Sequence, residues 1–136
     1  MADKERYPAI ADYALIADSN STALVSRAGS IDWCCIPRLD AGSCFGRLLD
    51  WEKGGFCSIA PKGGIGNYSR RYLEDTLVLE TTFEAEGGAA RLIDCYVLPS
   101  DPRACYELGR KSHRNADSTV GLVPSRSTFP AFLSRY

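Results

Sequence analysis

The strongest constraint on the fold of this chain is a run of alternating side chains at residues 76–84. One set of alternate positions holds Leu77, Leu79, Thr81 and Phe83. The positions between them hold Val78, Glu80, Thr82 and Glu84. A period of two with one apolar side is typical of a half-buried β-strand. The sequence Glu-Gly-Gly at 86–88 then predicts a hairpin turn, and residues 89–98 return as the second strand.

Weaker strand signals occur through the preceding part of the chain. Strands are predicted at 13–17, 22–26, 31–36, 54–59 and 69–73, with turn formers at 18–21 and 28–30. Helical spacing is found at 43–50, where Ser43 is a candidate N-cap and Phe45, Leu48 and Leu49 share one face. These signals predict a mainly β chain that forms an antiparallel β-sandwich with one short helix.

A change in composition near residue 100 divides the chain. Residues 1–100 contain 10 basic and 14 acidic residues, whereas residues 101–136 contain six basic and three acidic ones. Serine and proline are frequent in the second part, and its apolar residues follow no strand or helix period. We therefore predict a folded domain at 1–100 and an irregular basic tail at 101–136.

Charge and hydropathy exclude several classes of partner. The net charge of −1 lacks the basic surplus that binding to nucleic acid requires. No apolar run approaches the roughly 20 residues of a membrane-spanning helix. The charged start of the sequence lacks the apolar core of a secretory signal, so a cytoplasmic location is expected.

The six cysteines have no spacing typical of a metal site. No Cys-x-x-Cys pair occurs, Cys34 and Cys35 are adjacent, and the sequence has a single histidine, His113. In a reducing compartment disulfides are not expected. We interpret the cysteines as small apolar side chains and predict neither a metal site nor a cofactor.

The sequence offers no clear set of catalytic residues. Nucleophilic catalysis by serine or cysteine needs a base, and His113 lies in the predicted tail. The glycine-rich stretches at 62–67 and 86–88 lack phosphate-binding patterns. Carboxylates that adjoin apolar or aromatic residues are Asp32, Asp40, Asp50, Glu80 and Asp94. No spacing selects a pair from them, and we interpret Glu80 and Glu84 as lying on a solvated strand face.

The segment 29–40 has the most unusual composition, and two interpretations of it remain open. Trp33, Arg38 and Asp40 combine an aromatic ring with a cation and a carboxylate, a set that suits sugar recognition. Alternatively Trp33 fills the sandwich core, Pro37 ends the strand, and Arg38 pairs with Asp40 at the surface.

Several motifs in this region resemble one known family. They are IADYALIAD at 10–18, TALVSRAGSIDW at 22–33, IPRLD at 36–40 and CFGRLLD at 44–50. The motifs RY at 71–72, DTLVLET at 75–81 and RLID at 91–94 follow in the same order. Over residues 9–99 the chain resembles the amino terminus of glycoside hydrolase family 15 proteins, specifically the bacterial glucoamylase- and trehalase-like members. It departs from them at Cys34-Cys35, at Leu39 and after Pro102.

The resemblance implies a trehalase-like N-terminal β-sandwich. In the family this domain precedes a larger α/α-barrel, whose two catalytic glutamates hydrolyse α-glucosidic bonds with inversion. We expect the present chain to stop before that barrel and its sandwich to be incomplete, so no catalytic residue is assigned to it. Trp33, Arg38 and Asp40 are then candidates for the interface with the barrel or for the rim of its sugar pocket.

Three functions follow as expectations. The first is an accessory domain, inactive alone, of a protein that acts on an α-glucan or a trehalose-type sugar. The alternative is a free-standing carbohydrate-binding module that uses Trp33. The third is a structural or interaction fragment that binds no ligand. An incomplete sandwich is also expected to associate with itself through exposed sheet edges such as 76–84.

Overall fold

The computed structural model describes residues 7–61, 65–85, 88–97, 107–115 and 120–123. Within these ranges the backbone forms a 3₁₀ turn at Ile10–Asp12 and ten β-strands. The strands are β1 (Tyr13–Ala17), β2 (Thr22–Ser26), β3 (Ser30–Cys35), β4 (Ser43–Gly46), β5 (Cys57–Pro61), β6 (Asn67–Tyr72), β7 (Leu79–Ala85), β8 (Gly88–Val97), β9 (Glu107–Asn115) and β10 (Val120–Val123). None of the helical segments in the described part of the chain is long and apolar enough to span a membrane.

The strands form two antiparallel sheets, as the sequence predicts. Sheet A has the order β1-β2-β3-β5-β10, with β4 also paired to β3. Sheet B has the order β6-β7-β8-β9. The predicted hairpin is present as β7 and β8, with Ala85 opposite Gly88, while residues 86–87 lie outside the described ranges. The chain is therefore a mainly β, sandwich-like protein.

The apolar core lies between the two sheets. In the strands that form this core, alternate residues point inward, and Ile16, Val25 and Ile31 of sheet A are fully buried. Leu79 of sheet B packs into the same cluster, and Phe83 and Leu92 form a second one with Ile59. Removing these side chains from water is the main favourable contribution to folding.

The turn between β2 and β3 brings the backbone close to β5. Gly29 adopts a φ of 77°, a conformation that residues with a Cβ rarely take. Its carbonyl accepts a hydrogen bond of 3.1 Å from the Ile59 amide. A Cβ at this position would collide with the Ile59 carbonyl oxygen, so glycine is required here.

The prediction of a helix at 43–50 is wrong. Ser43–Gly46 is strand β4, whose residues pair with β3, and a turn follows with the Leu49 amide donating to the Gly46 carbonyl. Phe45 packs against the core, whereas Leu49 is 75% exposed. Pairing with β3 satisfies the backbone of this segment, and it overrides the weak helical spacing.

Two further expectations about sheet edges and the tail need correction. Residues 79–85 are not an edge, because β7 is hydrogen-bonded on both sides, to β6 and to β8. The tail is not irregular throughout, since β9 pairs along β8 and β10 pairs with β5. A polar strand such as β9 carries little apolar alternation, and its neighbour supplies the backbone partners that define it.

Candidate functional site

The first candidate residue, Trp33, lies on the face of sheet A that points away from sheet B. In the pairing of β2 with β3, Ala23 faces Cys34, Leu24 faces Trp33, and Val25 faces Ile31. Val25, Ile31 and Cys34 are buried in the core, so Trp33 and Leu24 occupy the opposite face, where both are half-buried. The interpretation that Trp33 fills the core between the sheets is therefore wrong.

The other two candidate residues lie together in the loop after β3. The guanidinium of Arg38 donates two hydrogen bonds of 2.9 Å to the carboxylate of Asp40. Both side chains are about 70% exposed, at 69% and 70%. An open groove of about 670 Å³ runs beside them, lined by Ser19, Asn20, Arg38, Leu39 and Asp40. Trp33 is not among the lining residues, so the structure joins two of the three candidates and separates the third.

A register shift in β3 places Asp32 under the outer face of sheet A. Because Trp33 and Ile31 pair with the consecutive residues Leu24 and Val25, Asp32 is the extra residue of a β-bulge. Its carboxylate accepts hydrogen bonds from the Tyr13 hydroxyl at 2.8 Å and from the Ser30 hydroxyl at 2.5 Å. Asp32 is 1% exposed, and these bonds offset the cost of burying its charge.

Arg47 supplies the opposite charge. Its guanidinium nitrogen Nη1 lies 3.7 Å from Oδ1 of Asp32. The same group lies 3.8 Å from the ring centre of Trp51 and 3.9 Å from that of Phe56. Two aromatic rings thus hold the cation by cation–π contacts and shield its attraction to Asp32 from water.

Burial and Asp32 together control the protonation of Tyr13. Burial raises the pKa of the Tyr13 hydroxyl, and the hydrogen bond to the Asp32 carboxylate raises it further. The hydroxyl therefore stays protonated and donates to Asp32 at all physiological pH values. The sequence shows Asp32 as an acid near apolar residues. It does not indicate that Tyr13 or Arg47 contacts this acid, because both are distant from it along the chain.

The prediction that Glu80 lies on a solvated strand face is wrong. Glu80 is 8% exposed, whereas Glu84 is exposed as expected. Oε1 of Glu80 accepts a hydrogen bond of 2.8 Å from Nε of Arg71, and Oε2 lies 3.6 Å from Nη1 of Arg91. Arginines on the two neighbouring strands cover the carboxylate, and strand alternation alone does not reveal such cross-strand partners.

The three buried carboxylates of the described residues do not face one another. Asp32 lies under the outer face of sheet A, and Glu80 lies on the outer face of sheet B. Asp94 is fully buried opposite Leu79, on the inner face of sheet B. Acid–base cleavage of a glycosidic bond needs two carboxyl groups on either side of a sugar. Within the described ranges, these buried acids cannot provide that arrangement.

The cysteines of the described ranges are free thiols. Cys34 and Cys35 are buried, and burial raises the pKa of the Cys34 thiol to about 12. The sulfur of Cys34 lies 3.4 Å from the Tyr96 hydroxyl. No group of three or more histidine, cysteine or acidic residues suited to a metal ion occurs in the part of the chain that the structure describes. Cys105 lies outside that part.

Fold and site together define a two-sheet β domain in which the buried acids of the described residues lie apart from one another. The family model for the trehalase-like N-terminal domain matches residues 3–124, and the chain belongs to this family. It is 41% identical over 92 residues to a trehalase of Mycobacterium tuberculosis, an alignment that covers 68% of the chain and 13% of the relative. It is 42% identical over 109 residues to trehalase 1 of Sulfolobus acidocaldarius, an alignment that covers 80% of the chain and 18% of that trehalase. It is also 41% identical over 92 residues to a trehalase of Mycolicibacterium smegmatis, an alignment that covers 68% of the chain and 14% of that trehalase.

The aligned region is a small part of these relatives. The chain spans 13% to 18% of the length of the three trehalases. No solved structure gives a significant match.

Proposed function

We propose that this chain is the N-terminal accessory domain of a glycoside hydrolase family 15 protein, of the glucoamylase or trehalase type, and is inactive alone. The observation that supports this most is the separation of the buried carboxylates over three different sheet faces. The family match and the small share of each trehalase that the chain covers agree with a non-catalytic part of a longer enzyme. The sugar, an α-glucan or a trehalose-type disaccharide, binds in the catalytic part.

The outer face of sheet A and the loop beside it are the proposed contact with that catalytic part. Leu15 is 46% exposed on this face, in the same cross-strand row as Leu24 and Trp33. An apolar row of this kind favours contact with another protein surface. Arg38 and Asp40 follow β3 in an exposed loop, where they are suited to the rim of a sugar pocket.

Hydrolysis assays test the accessory role directly. The purified 136-residue chain, folded by circular dichroism, is incubated with trehalose and with maltooligosaccharides, and released glucose is measured. We expect no release above the buffer control, while an active family enzyme assayed in parallel releases glucose. Glucose release that is lost in Asp32→Asn or Glu80→Gln would contradict the proposal.

A second function, a carbohydrate-binding module, is favoured by one observation. Trp33 is half-buried on the outer face, so part of its ring is open to a ligand. Calorimetric titration with maltooligosaccharides distinguishes the two functions. Saturable binding that Trp33→Ala abolishes and Asp40→Ala retains supports the module, and a flat titration supports the accessory domain.

The free buried thiols favour a reducing environment, and we infer a cytoplasmic location from them. The balanced charge favours no contact with nucleic acid. Cell fractionation followed by immunodetection tests the location.

A further inference from the structure

Strand β1 forms one edge of sheet A among the described strands. Its residues, Tyr-Ala-Leu-Ile-Ala, contain neither a charge nor a proline. Because β2 occupies one side of β1, alternate backbone groups, including those of Leu15, point away from the sheet. An uncharged edge of this kind is a template for pairing with another chain.

The Tyr72 hydroxyl is hydrogen-bonded to both backbone groups of Leu15 that point away from β2. It donates a hydrogen bond of 2.8 Å to the Leu15 carbonyl oxygen. It also accepts one of 3.1 Å from the Leu15 amide. The amide of Tyr13, two residues earlier, donates to the Ile10 carbonyl in the 3₁₀ turn. The outward side of β1 is thus already bonded at two successive positions.

The position of Tyr72 follows from the pairing of β6 with β7. Tyr72 lies opposite Leu79, which is buried in the core, so its side chain points from sheet B toward sheet A. Arg70 occupies the same face of β6, and its Nη1 donates a hydrogen bond of 3.3 Å to the Val25 carbonyl of β2. Two side chains of β6, an outer strand of sheet B, therefore bond to backbone groups of sheet A.

From this geometry we infer that the Tyr72 hydroxyl prevents β1 from pairing with β1 of a second copy of this chain. Leu15 is the middle residue of the five in β1. In antiparallel pairing about a two-fold axis at Leu15, the two Leu15 residues would exchange both of their backbone hydrogen bonds. Tyr13 of each copy would then lie opposite Ala17 of the other. In the present structure the Tyr72 hydroxyl already binds the Leu15 amide and the Leu15 carbonyl, which are the groups at the centre of that strand pairing.

A second copy is the partner that the edge fits. The register is symmetric about Leu15, and the strand carries no charge that would repel its own copy. Leu15 and Tyr72 are 46% and 44% exposed, so loss of the hydroxyl would leave the central backbone groups of β1 without a partner, while the Tyr13 amide would remain bonded to the Ile10 carbonyl.

Removing the hydroxyl alone tests the inference. In Tyr72→Phe the ring remains and Leu15 loses both partners, so we expect the full chain to dimerise about tenfold more tightly or more in sedimentation experiments. Tyr68→Phe is the matched control, because Tyr68 lies on the same face of β6 and its ring contacts Arg27 and Arg70. We expect this control to sediment like the unmodified chain.

A second substitution identifies the surface that associates. Leu15→Lys places a charge on the β1 edge, and combined with Tyr72→Phe it is expected to restore the monomer. Association that is absent from the unmodified chain, present in Tyr72→Phe and removed by Leu15→Lys supports the inference. A folded Tyr72→Phe chain without such association overturns it, and so does an unmodified chain that already associates in a manner that Leu15→Lys removes.

Amide hydrogen exchange gives a test that does not depend on the folding of any variant. In the unmodified chain the Leu15 amide is expected to exchange slowly, although it points away from β2. Exchange at the rate of an unstructured peptide would overturn the inference.

Discussion

The hydroxyl of Tyr13 donates a 2.8 Å hydrogen bond to a carboxylate, Asp32, that is 1% exposed. The bond joins the first strand of sheet A to the bulge of β3. Together with Arg47 it forms a polar cluster on the side of sheet A that is opposite the apolar core.

Neutralising Asp32 is expected to destabilise the chain. Asp32→Asn leaves Arg47 without its counter-charge, and we expect the free energy of unfolding to fall by about 2–4 kcal/mol. Urea unfolding followed by circular dichroism measures the change. Asp40→Asn is the matched control, since its ion pair with Arg38 is exposed, and a loss below about 1 kcal/mol is expected there. Equal losses in the two variants would contradict the burial of Asp32.

The effects of substituting Asp32 and Arg47 on the free energy of unfolding are expected to be coupled. Arg47→Met removes the charge while it keeps a long side chain between Trp51 and Phe56. A double-mutant cycle with Asp32→Asn should give a coupling energy of about 1–3 kcal/mol. Additive effects would show that the two charges do not interact.

Glu80 and Glu84 provide a matched pair on one strand. Glu80→Gln weakens the contacts to Arg71 and Arg91, which are themselves 69% and 45% exposed, so we expect a loss of only about 1 kcal/mol. Glu84→Gln should be within about 0.5 kcal/mol of the unmodified chain. Urea unfolding measures both, and a larger effect at Glu84 would argue against the arginine contacts of Glu80.

The turn at Gly29 is expected to tolerate no side chain. Gly29→Ala combines a positive φ with a collision at the Ile59 carbonyl, so a loss of about 2 kcal/mol or more is expected. Gly42→Ala is the control, because a Cβ there would meet no atom within 4 Å, and a change within about 0.5 kcal/mol is expected. Thermal unfolding of the two variants measures the difference.

The Cys34 thiol is expected to make stability depend on pH in the alkaline range. Its pKa is about 12 in the folded chain against 9.0 for an ordinary thiol, so the unfolded state loses the proton at lower pH. The stabilisation is complete below pH 9 and declines as the pH rises toward 12, by at most about 1.4 kcal/mol per pH unit. Cys34→Ala should therefore show a shallower decline in unfolding free energy over this range.

The control for the alkaline experiment is Gly42→Ala, which removes no titratable side chain and whose added Cβ would meet no atom within 4 Å. It is expected to follow the unmodified chain. If Cys34→Ala and the unmodified chain decline in parallel, the thiol does not contribute to the pH dependence.

The sequence predicts those strands that appear within the segment itself, either as a short apolar run between turn formers or as an alternation of apolar and polar residues. β1 and β2 begin and end where the pattern predicts, because each is short and flanked by turn formers. The helix at 43–50 is wrong because the fate of that segment depends on β3, a partner that local spacing does not show. β9 is missed for the same reason, since its neighbour β8 determines it.

The site is predicted less completely than the fold. The pairing of Arg38 with Asp40 is confirmed, because the two residues are close in the sequence. The cluster around Asp32 joins residues 13, 30, 32 and 47, and it depends on a bulge that shifts the register by one residue. A pattern of alternation contains no information about such a shift.

The course of β9 along β8 has a practical consequence for work on this protein. Every residue from Ala89 to Val97 has a partner in β9, and Ile59 of β5 has one in β10. A recombinant fragment that ends near residue 100, where the composition changes, would lack β9 and β10. The backbone groups of β8 and β5 that pair with them would then be exposed to solvent. Such a trimmed product would be prone to precipitate, so the serine- and arginine-rich portion belongs in any expression design.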